Sequence, residues 1–241
     1  MSARVGDRRT YTFRVVKKIF LGIAAALVVG LLVEGLRLLH LRRDVKVFAD
    51  HWKDRNSDGE FLYVALGDSA AQGIGASQPE NGYVGLLARD IERATGKSVR
   101  VVNISVSGAT IQDVIAAQLP DLGSSIPDLT TVEVGSNNIR TFNAAEFKTQ
   151  YDELASRLPA GAYVANIPYF GGVYRNNRDA IKASKIIADA AQTNGLVLVD
   201  LQGETSHRQS IRNYAADYFH PNNRAYKIWR DSFWRQMALK L

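Results

Sequence analysis

The chain has 241 residues, 46% hydrophobic and 22% charged, the composition of a globular protein with one sizeable core and an extension. It contains no cysteine, which excludes structural disulfides, a cysteine nucleophile and thiolate metal sites. The net charge of +6 is largely local: Arg4, Arg8, Arg9, Arg14, Lys17 and Lys18 are opposed there only by Asp7, and no basic stripe with interleaved aromatics follows, which argues against a nucleic-acid partner.

Behind this basic segment (1–18), residues 19–33 carry no charged or strongly polar side chain. The strictly apolar run is shorter than the ~20 residues that span a bilayer. Extension to about residue 40 reaches that length but admits Glu34 and Arg37. Near a helix end both can turn toward the headgroups. The pattern predicts a transmembrane signal anchor over 19–40. A cleaved signal peptide fits the basic flank, but no small-x-small cleavage site follows. A buried amphipathic helix is the third reading. The basic cluster before the run favours a cytoplasmic N-terminus and a domain on the far side. Arg37, Arg42, Arg43 and Lys46 after it oppose that orientation. Residues 41–60 are polar and mixed in charge and read as a juxtamembrane helix or linker, with His40 and His51 as linker residues.

From Phe61 onward, β-rich runs alternate with helical patterns. The runs are 61–66, 99–104, 129–134, 162–167 and 196–200, and the helical candidates are 81–95, 110–119, 144–157, 175–194 and 222–239. Apolar strands separated by helices imply βαβ crossovers: an α/β domain over 61–241, a three-layer α/β/α sandwich around a five-stranded parallel sheet. In such sheets ligands bind at the carboxyl ends of the strands.

Four motifs fall on that rim. The first strand runs into Gly67-Asp68-Ser69-Ala70-Ala71-Gln72-Gly73, which presents a serine in a glycine-bearing turn. It is not a G-x-S-x-G elbow, because Asp68 precedes the serine. The second strand ends in Ser105-Val106-Ser107-Gly108-Ala109-Thr110, where a glycine N–H can approach a substrate oxygen. The third ends in Gly135-Ser136-Asn137-Asn138, where a side-chain amide can donate to an oxyanion. Near the C-terminus stands Asp217-Tyr218-Phe219-His220-Pro221. A serine at neutral pH needs a base, histidine titrates in the right range, and a carboxylate can fix its tautomer. Pro221 is placed to start the final helix. His207, in Thr205-Ser206-His207-Arg208, reads as a solvated loop residue.

In this order the motifs resemble those of the SGNH/GDSL hydrolase family over about residues 61–239. GDSAAQG, SVSGAT, GSNN and DYFH stand where the family has GDS-x-x-x-G, a glycine after the second strand, G-x-N-D and D-x-x-H. The resemblance implies a flavodoxin-like SGNH fold, with Ser69 as nucleophile and Asp217/His220 as its base. It also implies an oxyanion hole formed by the N–H groups of Ser69 and Gly108 and the amide of Asn137. Asn138 replaces the usual Asp, a change that bears on the support of Asn137 rather than on the donor. The implied activity is hydrolysis of a carboxylic ester through an acyl-enzyme. The ester would be an acyl or acetyl ester of a lipid, glycan or small molecule, with no metal or organic cofactor. An acyltransferase and a non-catalytic binding protein of the same fold are the alternatives. A nucleotide-binding flavodoxin-like protein would need a phosphate-cradling loop that Gly73-Ile74-Gly75 does not supply. The aromatic, glycine- and arginine-bearing loop 168–178 is expected to form a substrate wall or small lid.

Overall fold

Short runs rich in β-branched and aromatic residues pair side by side as one parallel sheet. The computed structural model describes residues 5–53, 58–122, 126–172 and 176–238. The strands are β1 (Phe61–Gly67), β2 (Val99–Asn103), β3 (Leu129–Glu133), β4 (Tyr163–Ala165) and β5 (Val197–Val199). Their order is β2-β1-β3-β4-β5, the doubly wound flavodoxin-like order. Each neighbouring pair is parallel.

Because successive side chains of a strand point to opposite faces, the sheet divides its apolar residues between two cores. Val64 and Leu66 of β1, Val132 of β3 and Val164 of β4 face one cluster. That cluster is completed by α4 (Ile111–Asp113), a π turn (Val114–Gln118), α5 (Leu119–Asp121), α6 (Ala144–Arg157) and α7 (Asn177–Thr193). Tyr63 and Ala65 of β1, Val101 of β2, Tyr163 of β4 and Val199 of β5 face the other. There they meet Tyr83, Leu87 and Ile91 of α3 (Tyr83–Thr95) and Tyr226, Trp229 and Phe233 of α9 (Asn223–Met237). Tyr83 and Phe233 stack with centroids 4.9 Å apart. Beside them the buried Asp90 of α3 accepts a 2.6 Å bond from Arg230 of α9. The expected three-layer sandwich is therefore present, with β4 and β5 shorter than their apolar runs.

Two short helices escape the periodicity: α2 (Ser69–Gln72) and α8 (Leu201–His207). Asp200 caps α8 by accepting the Gly203 N–H at 2.9 Å. His207 is thus the last residue of a helix rather than a loop residue, and its Nδ1 lies 2.7 Å from the Gly203 carbonyl one turn back. Pro221 does not start α9; it precedes the cap Asn222 and forms an isolated antiparallel bridge with Tyr214.

The N-terminal helix α1 spans Val5–Lys53 and therefore includes both His40 and His51. The chain divides into two compact units, 1–42 and 43–241. In the first, the apolar side chains between Ile19 and Leu39 are exposed, among them Phe20, Leu27 and Leu31. By length and composition this part of α1 suits a membrane span or a signal sequence, and it is not a buried core helix. In the second unit, the end of α1 buries Phe48 and Trp52.

The sheet also buries a carboxyl pair. Glu133 closes β3 opposite Gly67 of β1, and it and Asp68 are almost wholly enclosed. Burial raises the Glu133 pKa well above the ordinary carboxylate range, and the negative charge of Asp68 and a hydrogen bond to it raise it further. Glu133 is therefore held neutral in the fold and ionises on unfolding near neutral pH. The folded state then binds more protons than the unfolded state, so stability falls as pH rises above the ordinary glutamate range. Replacing Glu133 with Gln keeps a neutral, isosteric group. Urea titrations at pH 5 and pH 8 are expected to show a smaller loss of stability at the higher pH for Glu133→Gln than for the wild type. An equal or larger loss counts against a neutral Glu133.

Candidate active site

The site begins where β1 ends. Gly67 has φ +146°, and a Cβ there would sit 2.1 Å from the Glu133 carbonyl oxygen, so only glycine fits. Gln118 in the π turn grips the Gly67 peptide on both sides: its Nε2 donates to Gly67 O and its Oε1 accepts from Gly67 N, both at 2.8 Å. The next residue, Asp68, caps α2 by accepting the Ala70 N–H at 2.9 Å. Burial raises its pKa, an effect opposed by the Ala70 N–H and by the bond with Glu133. Ser69 is then the first residue of α2, with its N–H among the unpaired donors of a helix start.

The loop after α8 carries Asp217 and His220. Tyr218 has φ +54°, the one positive value among the described non-glycine residues. This turn aims the N–H groups of Phe219 (3.1 Å) and His220 (3.0 Å) at Asp217 Oδ1. The other oxygen, Oδ2, lies 2.5 Å from His220 Nδ1. Burial works against the Asp217 charge, but the His220 bond and charge and the two N–H groups outweigh it and hold this carboxyl below its usual range. A carboxylate only accepts, so Nδ1 carries the proton and Nε2 is left as an acceptor. That nitrogen stands 2.9 Å from Ser69 Oγ. Asn222 clamps the loop from behind: its amide donates to the carbonyls of Arg212 and Tyr214, and its Oδ1 caps α9.

Gly108 lies at the end of the β2 loop with φ +84°, open space beyond its Cα and its residue surface exposed. Neither its N–H nor that of Ser69 has an acceptor among the described residues. Thr110 and Asp113 form a capping box that fixes the entry to α4. The Asn137 amide nitrogen donates to Asp68 Oδ2 (3.2 Å) and to Ala109 O (3.0 Å). It is thus tied to the residue before Ser69 and the residue after Gly108. Asn138 is used as an amide: its Oδ1 accepts the Ile111 N–H (3.2 Å) and its Nδ2 donates to Gln150 (3.3 Å). An aspartate could make the first bond but not the second. The structure therefore brings Ser69, His220 and Asp217 into one hydrogen-bonded line and links Asn137 to the neighbours of Ser69 and Gly108; Gly108 is positioned through its neighbours.

Beside Ser69 and His220 opens a pocket walled by Pro168, Phe170, Phe219, Ile228 and Trp229 among others. Phe170 stacks on Phe219 at 6.0 Å, and Phe219 meets the His220 ring edge-on at 5.1 Å. Loop 168–172 is pinned, because the Tyr214 hydroxyl accepts the Gly171 N–H (2.7 Å) and donates to Tyr169 O (3.2 Å). The part expected to act as a lid at Val173, Tyr174 and Arg175 lies outside the described residues. Sequence reading missed Gln72, at an unspecified position inside the first motif, and Gln118, Glu133 and Tyr214, which sit in none of the motifs. No group of three or more His, Asp or Glu able to hold a metal occurs among the described residues.

Comparison with known proteins adds the family. The sequence matches the GDSL-like Lipase/Acylhydrolase family over residues 65–228. The fold is shared with TesA at 24% identity and TM-score 0.63, covering 75% of this chain and 99% of that one. A variant of Axe2, an acetyl xylan esterase from Geobacillus stearothermophilus, aligns at 20% identity and TM-score 0.62, with 76% and 96% covered. LAE5, an alpha/beta hydrolase enzyme from the metagenome of Lake Arreo, Spain, aligns at 23% identity and TM-score 0.61, with 75% and 96% covered. No curated protein sequence matches the chain. With the family's pattern running through the strands and loops that build this rim, the chain belongs to the GDSL-like lipase/acylhydrolase family of ester hydrolases.

Proposed function

We propose that the protein is a serine esterase that works through an acyl-enzyme, and that Ser69, His220 and Asp217 are its catalytic residues. The observation that carries this reading is the line of hydrogen bonds from Asp217 through His220 to Ser69 Oγ. His220 Nε2 takes the Ser69 proton as Oγ attacks the ester carbonyl. Asp217, ionised and fixed by two N–H groups, holds the imidazole and stabilises the cation that forms. The N–H groups of Ser69 and Gly108 receive the oxyanion, joined by the Asn137 amide, which exchanges its 3.2 Å bond to Asp68 for one to the developing charge. His220 returns the proton to the leaving alcohol, then activates water to release the acid.

The pocket narrows the substrate. Phe170, Phe219, Ile228 and Trp229 make much of the wall apolar, and a larger apolar acyl chain would cover more of these side chains than an acetyl group. We therefore assign a carboxylic ester with an apolar acyl group of several carbons. The acetyl ester named for Axe2 is the second reading, favoured only by likeness of fold. We assign residues 19–40 to a membrane anchor, residues 1–18 to the cytoplasm and the hydrolase unit to the far side. The exposed apolar length of α1 and the basic residues before it support this. That location favours an ester of a lipid or envelope component over a cytoplasmic metabolite.

Ser69→Ala is expected to abolish hydrolysis of p-nitrophenyl butyrate and labelling by a fluorophosphonate; turnover near the wild-type rate by the purified variant sinks the assignment. Asn137→Ala should lower kcat by about 10²–10³-fold with KM nearly unchanged. Across p-nitrophenyl esters from acetyl to hexanoyl, kcat/KM should climb roughly three- to fourfold per added methylene. A maximum at acetyl would instead assign an acetyl ester.

A further inference from the structure

A one-turn helix cannot satisfy its own carbonyls, and a buried carbonyl left unpaired costs about 1–3 kcal/mol. The four residues of α2, including Ser69, are all buried. Their carbonyls are nevertheless each matched. Ser69 O accepts the Ile74 N–H at 2.9 Å and Ala70 O the Gly73 N–H at 3.0 Å, both from the turn that follows. Ala71 O accepts from the Asn103 amide at 2.8 Å, at the end of β2. Gln72 O accepts from the indole Nε1 of Trp52, at 2.9 Å and in a buried position.

Trp52 belongs to the last turn of α1, outside the sandwich elements and outside the family match at 65–228. Its ring is buried in the core formed with Tyr83, Leu87 and Phe233. The residue it holds is the crosspiece of the site. The Gln72 side chain donates to Ser105 O (2.9 Å) and accepts from Ser107 N (3.1 Å) and Ser107 Oγ (2.5 Å), so it ties the α2 turn to the loop that ends in Gly108.

From this geometry we infer that Trp52 is a positioning residue of the hydrolase. Its indole N–H fixes the Gln72 backbone, and through Gln72 it sets the spacing between Ser69 and the Gly108 N–H. The end of α1 is then a working part of the catalytic unit and not a tether. The inference rests on the reading of Ser69 and Gly108 as reacting and oxyanion-binding groups. Trp52→Phe removes the donor and keeps an aromatic ring in the core.

The test uses the full chain in detergent micelles with p-nitrophenyl butyrate, at a temperature where every variant is folded by circular dichroism. Trp52→Phe is expected to lower kcat by roughly three- to a hundredfold, the scale of a small misplacement remote from the chemistry, with KM within twofold of the wild type. Phe48→Leu is the control for stability, because Phe48 is buried in the same helix and makes no bond to the site. It should lower Tm and leave kcat intact. An unchanged kcat for Trp52→Phe overturns the inference. So does an equal kcat loss in Phe48→Leu at an equal Tm. Ser69→Ala is run beside them: activity there refutes the serine-esterase reading itself, whereas an inactive Ser69→Ala with a fully active Trp52→Phe refutes only the role of Trp52.

Discussion

The site depends on the cost of burying unpaired backbone. Ser69 must stand at the rim of a parallel sheet, at the first residue of a helix too short to close its own hydrogen bonds. The helix is buried, so its carbonyls take their donors from the rest of the molecule. The answer is a set of side-chain amides, Gln118 and Asn103 from distant elements and Gln72 from the short helix itself. Gln118 reads both sides of the Gly67 peptide, Asn103 takes Ala71 and Gln72 reaches the β2 loop. The π turn that carries Gln118 is part of the same device, since such bulges re-aim a side chain within a helix.

The same enclosure sorts the acids by their neighbours. Asp217 is half-buried yet kept charged, because an imidazole and two backbone N–H groups face it. Glu133 lies deeper, meets another carboxyl and stays neutral. A charged acid beside His220 supports an imidazolium, while a neutral acid beneath Asp68 spares the rim a second buried negative charge.

Asn137 and Asn138 show how a departure from a family pattern can be absorbed. Asn137 is held between Asp68 and Ala109, the neighbours of Ser69 and Gly108. The Asn138 carbonyl accepts from the start of α4, and its amide nitrogen donates to Gln150 of α6. An aspartate here would keep an acceptor for the first bond but lack the donor for the second.

The sequence by itself determined the strand and helix order, because alternating apolar runs and helical stretches leave a doubly wound sheet as the way to cover both faces. It also placed Ser69, Gly108, Asn137, Asp217 and His220 on one rim, since local motifs and strand ends are adjacent in the chain. What it could not carry were interactions without a local signature. The Ser69–His220 bond joins residues 151 apart. Gln118, Glu133 and Tyr214 act through positions reached only when strands, helices and loops pack. The helix Leu201–His207 is too short and too polar for periodicity, and only its contacts with Asp200 and α9 give it away. The polar stretch after the apolar run reads as a helix or linker, yet in the fold its Trp52 indole meets a carbonyl that the chain leaves buried and unpaired twenty residues later. Tertiary structure decided these features because burial alone makes such a partner necessary.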